Sequence, residues 1–104
     1  MYLPSSAQTS LKKLGESIRV ARKRRAWTIA DLASKMDVSA PTVIALEKGR
    51  STVSLGVLCS ALWMLGLDQE LQKLASPQDL KGIAIANSRL PKRVRATRKL
   101  DNDF

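Results

Sequence analysis

The sequence predicts an all-α fold. One compact domain of five short helices spans residues 10–75, a loose N-terminus (1–9) precedes it, and a C-terminal extension (76–104) follows. Three observations carry this. Apolar residues return at helical spacing in five consecutive segments. Each segment opens at a residue able to cap a helix, and the connections between them are two to six residues long. The 104 residues are 44% hydrophobic, enough for one small core, although aromatics contribute only 4%.

The elements follow in order. Thr9 or Ser10 caps the first helix, whose inward face is Leu11, Leu14, Ile18 and Ala21 and whose far end is the basic run Arg22–Arg25. Thr28 opens the second, and Thr28-x-x-Asp31 has the form of a capping box with Asp in place of Glu. Ile29, Leu32, Ala33 and Met36 form its apolar stripe. The chain must then turn at Asp37, a residue type that tolerates the left-handed region, with Val38 plugging the turn from inside. Ser39 caps the third helix and Pro41 stands in its first turn, where a missing N–H costs nothing. Val43 and Leu46 face inward, and Gly49 ends the helix. Ser54 caps the fourth, with Leu55, Leu58, Cys59, Leu62 and Leu65 as its stripe; Gly66 is its stop and Leu67 folds back onto it. Asp68 begins the fifth, using Leu71 and Leu74. Beyond it, "SPQD" resembles one more helix start, and "GIAIAN" is too short to assign to a strand at a dimer contact or to a packed turn.

Charge narrows the function. Eighteen Lys and Arg against nine Asp and Glu give +9, with a pI near 10.3. Such a balance points to nucleic acid, an acidic protein or an anionic membrane as partner. No apolar run approaches the roughly 20 residues a membrane helix needs, and "MYLPSSAQTS" lacks the basic start and apolar stretch of a signal peptide. With one cysteine, Cys59, no intrachain disulfide forms, so a reducing cytoplasm is the expected location, with association to the nucleoid when bound to DNA. The chain has no His, no Gly-rich phosphate loop, no CxxC and no carboxylates paired on one face. No enzyme, metal, cofactor or small-molecule ligand is therefore expected, and Cys59 reads as a small hydrophobe of the fourth helix.

Two short helices joined by a tight turn, with Ala33 where they cross and Val38 in the turn, form a helix-turn-helix. The surrounding residues resemble the XRE (lambda-repressor-like) family. "LGESIRVARKRRAWTIADLASKMDVSAPTVIALEKG" followed by "SLGVLCSALWMLGL" matches the family's pattern from the first helix to the fifth, about two-thirds of the chain. The markers are specific as a set: the Arg before the basic run, "WT..DLA", the "VS..T" turn, "LEKG" and the final "LG". In such domains the third helix enters the major groove and its early residues meet base edges. The resemblance therefore implies base reading by Ser39, Ala40, Pro41, Thr42 and Ala45, with Ile44 nearby. It implies phosphate contacts by Thr28, Lys48, Arg50 and Ser51, with Lys35 a weaker candidate. Relatives often carry Gln at the positions of Ala40, Pro41 or Ala45. Its absence here shifts weight to packing on thymine methyls, phosphate contacts and DNA shape. The plainer alternative is that Ala40 and Ala45 are there as good helix formers.

Arg22 and Glu47 match a partly buried ion pair of the family, joining the first helix to the end of the third; the alternative is a solvated surface pair. Trp27, before the second helix, and Trp63, in the fourth, are expected to pack on the core, although an exposed Trp63 beside Met64 would suit a partner surface. Homodimer contacts are expected from Leu67, Leu71, Leu74, Ile83 and Ile85. The tail "RLPKRVRATRK" places six basic residues in eleven: Arg89, Lys92, Arg93, Arg95, Arg98 and Lys99. It is an arm for DNA, a segment for an acidic partner, or a solvated tail. "LPKRVR" also resembles HipB-type antitoxins, XRE proteins that pair with HipA-like serine/threonine kinase toxins. The expected function is thus a dimeric repressor on a palindromic double-stranded DNA operator, an antitoxin that represses its own operon and binds a kinase toxin. The alternatives are a stand-alone XRE regulator of phage or restriction-control type, and an adaptor whose helix-turn-helix makes protein contacts.

Overall fold

The computed structural model describes residues 1–76. It contains five helices and, among the described residues, no strand: α1 (Ser5–Arg24), α2 (Ile29–Met36), α3 (Ala40–Glu47), α4 (Leu55–Met64) and α5 (Asp68–Lys73). The extension from 77 onward, with Ile83, Ile85 and the whole basic tail, lies outside the described residues.

The caps form where hydroxyl side chains precede an apolar run. Thr28 Oγ1 accepts from Asp31 N–H at 3.0 Å, and Asp31 Oδ2 accepts from Thr28 N–H at 2.8 Å, a reciprocal box. Ser39 and Ser54 Oγ each accept from the amide three residues on. The opposite ends share one device. Ala26, Asp37, Gly49 and Gly66 all have positive φ. In each case the following amide reaches back five residues, as in Val38 N to Ala33 O at 3.0 Å and Leu67 N to Leu62 O at 2.7 Å. Two of these four are not glycine; Asp37 is tolerated there as a short polar residue, whereas Ala26 carries the steric cost of its Cβ.

Two sequence expectations are corrected. α1 starts at Ser5, behind Pro4, rather than after a cap at Thr9 or Ser10. Once a helix is nucleated, each added residue closes another hydrogen bond without needing a buried side chain; Gln8 N bonds Pro4 O at 3.0 Å and Gln8 Nε2 bonds Leu3 O at 2.9 Å. α4 is rotated from its expected face. Ala61, Leu62 and Leu65 are buried with Val57 and Leu58 packed against them, while Leu55, Cys59 and Trp63 point outward. The helix, "LGVLCSALWM", contains no charge, so its sequence offers no polar face from which to choose the buried one.

The core is Ile18 of α1, Leu32, Ala33 and Met36 of α2, Val43 and Leu46 of α3, and Ala61, Leu62 and Leu65 around α4. Val38, Trp27, Leu67 and Leu71 pack on its margin, and Leu74 is exposed. α3 is held between α1 and α2, so its position is fixed on two sides. The crossing with α1 is made at backbone distance. A Cβ at Gly15 would overlap the Glu47 carbonyl oxygen, and one at Gly49 would fall 2.6 Å from the Leu11 backbone.

Candidate nucleic-acid interface

The site is built from the α2–turn–α3 unit. Asp37, at φ 57 and ψ 46, reverses the chain in the left-handed region, and Ser39 at once caps α3. The turn is therefore three residues long, Asp37 to Ser39, and its geometry is locked by hydrogen bonds at both ends. Val43, Leu46 and Glu47 are the buried side of α3. Of the residues expected to read bases, Ser39 and Pro41 are exposed and Ala40, Thr42 and Ala45 half-buried. Ile44 is 38% exposed. An α3 side bearing one hydroxyl, two methyls, a proline ring and an isoleucine thus faces outward.

Thr42 is oriented before any ligand arrives. Its Oγ1 lies 2.8 Å from Ser39 Oγ, which also accepts the Thr42 amide at 3.3 Å. When Ser39 donates in that pair, the Thr42 hydroxyl proton is free for an outside acceptor. Pro41, Thr42 and Ala45 share an open groove with Thr52, Val53, Ser54 and Val57. Thr52 was not expected from sequence; its place beside α3 depends on how the loop into α4 folds back.

Cations frame this surface. Lys48, Arg50 and Ser51 are exposed just beyond α3. They line a cleft of about 870 Å³ together with Met1, Tyr2, Leu3, Gln8, Lys12, Gly49 and Thr52. Lys12 and the first three residues were also not singled out in the sequence. What brings them here is the glycine-mediated contact of α1 with the end of α3, for which Gly15 inside a helix is the one signal the sequence holds. Thr28 is exposed at the start of α2, beside Asp31. The Thr28 amide and hydroxyl bonds hold the Asp31 carboxyl below its usual value, with a smaller contribution from Lys35. Lys35 Nζ lies 4.6 Å from the Trp27 ring centroid, a cation–π contact that keeps it near α2.

Behind the outward side of α3 stands Arg22. Its Nε and Nη2 donate to Glu47 Oε2 and Oε1 at 2.7 and 3.0 Å, and its Nη1 donates to the Trp27 carbonyl at 2.8 Å. Both side chains are about 5% exposed. The Glu47 hydrogen bonds raise the Arg22 pKa above its already high value, against the cost of burial. The pair ties α1, the α1–α2 turn and the end of α3 together, and takes the one acid of α3 away from the surface. Arg25 is similarly occupied, donating to the carbonyls of Ala21 and Leu65. Trp63, expected to pack on the core, is instead 63% exposed.

A short helix held at its back by a buried ion pair, exposed along its leading side and flanked by cations is the working part of a DNA-binding helix-turn-helix domain. The family model described as helix-turn-helix domain matches residues 13–75, more than half of the chain. The chain belongs to that family, with the all-α, five-helix fold of the lambda-repressor-like domains, and is a DNA-binding regulator in kind. Neither the curated proteins nor the solved structures contain a match to it.

Proposed function

We propose that the protein is a transcriptional repressor that binds a palindromic operator as a dimer, with Ser39, Ala40, Pro41, Thr42 and Ala45 of each copy against base edges. The observation that carries this is the outward side of α3, which is uncharged and framed by Lys12, Lys48 and Arg50. An apolar surface with one hydroxyl suits thymine methyls and a single base acceptor, while the frame suits phosphates. Thr28, Lys35 and Ser51 are further phosphate contacts in this account. Sequence preference then comes in large part from DNA shape.

Selection from a random duplex pool followed by footprinting tests this. The expected result is a pair of inverted half-sites centred about 34–36 Å apart, one turn of duplex. Failure to protect any duplex at low salt refutes it, and so does protection of a single, unpaired half-site.

The finer identity proposed is a HipB-type antitoxin that represses its own operon and binds a HipA-like kinase. It is supported by the string "LPKRVR", Leu90–Arg95, behind a helix-turn-helix domain. Purification of the native protein followed by mass spectrometry should recover a kinase-like partner. Recovery of none, with operator binding intact, leaves the stand-alone regulator.

A further inference from the structure

We infer that the outward face of α4 is where two copies of this chain meet, antiparallel about a two-fold axis at Cys59. This deepens the two-copy account above and rests on it for the number of copies. Leu55 and Trp63 are 73% and 63% exposed, and Cys59 between them is also exposed. They are spaced four residues apart, so they lie along one side of the helix, Leu55 and Trp63 each about 6 Å from Cys59 along the axis. Gly56 belongs to the same side: a Cβ there would meet nothing nearer than Ser54 Oγ at 3.9 Å.

The occupant is chosen by charge and by shape. The chain carries +9, so two copies repel wherever Lys and Arg are displayed. α4 has no charged residue, which makes its face a place where like can meet like. An acidic partner would instead be drawn to the basic surfaces. The shape is complementary to itself. At the start of α4 a largely apolar groove of about 220 Å³ is lined by Leu11, Leu14, Leu55 and Leu58, with Arg50 also in its lining. A two-fold axis at Cys59 carries Trp63 of one copy to Leu55 and Gly56 of the other, at the edge of that groove, and does the same in reverse. One contact is thereby made twice, as an isologous interface requires. A large indole against small residues and an apolar groove is the kind of anchor that dominates interfaces.

The experiment uses the full chain without DNA, so operator binding is judged separately. Sedimentation equilibrium should give a dimer. Because packed helices lie about 8–10 Å apart, a short bis-maleimide should join Cys59 to its mate, and Cys59→Ser should abolish the product. Trp63→Glu should weaken dimerisation at least about thirtyfold and remove the cross-link while the far-UV spectrum stays helical. Gly56→Glu gives the same readout at a position where the fold has room and helix propensity improves; it carries the test if Trp63→Glu does not fold. A wild-type monomer at about 200 µM, a concentration at which even a weak interface populates the dimer, overturns the inference. So does a dimer or cross-link unchanged by both substitutions. A monomer whose Cys59 resists maleimide overturns it too, and assigns the face to residues 77–104 of the same chain.

Discussion

At the scale of single residues, Arg22 and Glu47 show how burial turns an ordinary ion pair into a structural tie. Placed in water, the pair would contribute about 0–1 kcal/mol. Here each partner is left in a dry interior if the other is removed. Glu47→Ala is expected to cost about 3–5 kcal/mol, a fall in melting temperature of at least about 12 °C for a domain of this size. A thermal melt matching wild type would show that Arg22 finds another partner or reaches water. Thr42 lies on the outward side of α3. Thr42→Ala removes the hydroxyl of the outward side of α3 from Thr42 while keeping the helix, so it should cost about 1 kcal/mol on the preferred operator, near fivefold in affinity, and leave binding to unrelated duplex unchanged. Competition binding with the two DNAs distinguishes this from a general loss.

Among the elements, the helix ends have distinct chemistry. All five end at a residue in the left-handed region, and Ala26, like Ala75, does so with a bare Cβ. That conformation costs a non-glycine residue about 1–2 kcal/mol, and glycine's looser unfolded chain takes back about 0.4–1 kcal/mol. Ala26→Gly is therefore expected to stabilise the domain by about 0.5–1 kcal/mol in denaturant unfolding. A loss would mean that the Ala26 methyl has a packing role. The capping box at the start of α2 predicts a pH dependence. The Asp31 carboxyl titrates below its usual 3.8 because Thr28 bonds its charged form. Its contribution, the difference between wild type and Asp31→Asn, is thus fully present above that ordinary value. It disappears as pH falls through the depressed folded-state value. Melting curves of both proteins from neutral to acid pH should converge at the acid end; a constant gap would assign the effect to shape rather than charge.

For the molecule as a whole, the basic surplus sets how binding responds to salt. If the tail lies on phosphates, neutralising Arg93 and Arg95 together reduces the slope of log affinity against log salt by about 2 and weakens all duplexes alike. An unchanged slope would move the tail to a protein partner. The element order, the caps at Thr28, Ser39 and Ser54, the reversal at Asp37 and the helix-turn-helix were legible from sequence, because each depends on residues within a turn of one another. Local chemistry also determined which side of α2 is buried, since it alternates apolar and polar positions; α3, "APTVIALE", has no such alternation, and its buried side, Glu47 included, is set by packing against α1 and α2. The outward side of α4, the rotation that exposes Leu55, Cys59 and Trp63, and the meeting of Lys12 with Lys48 and Arg50 were decided in three dimensions. A charge-free helix has no periodic signal, and only packing against α2 and the rest of the core selects its face. The approach of α1 to the end of α3 joins residues more than thirty positions apart through two glycines, a contact that no local pattern encodes.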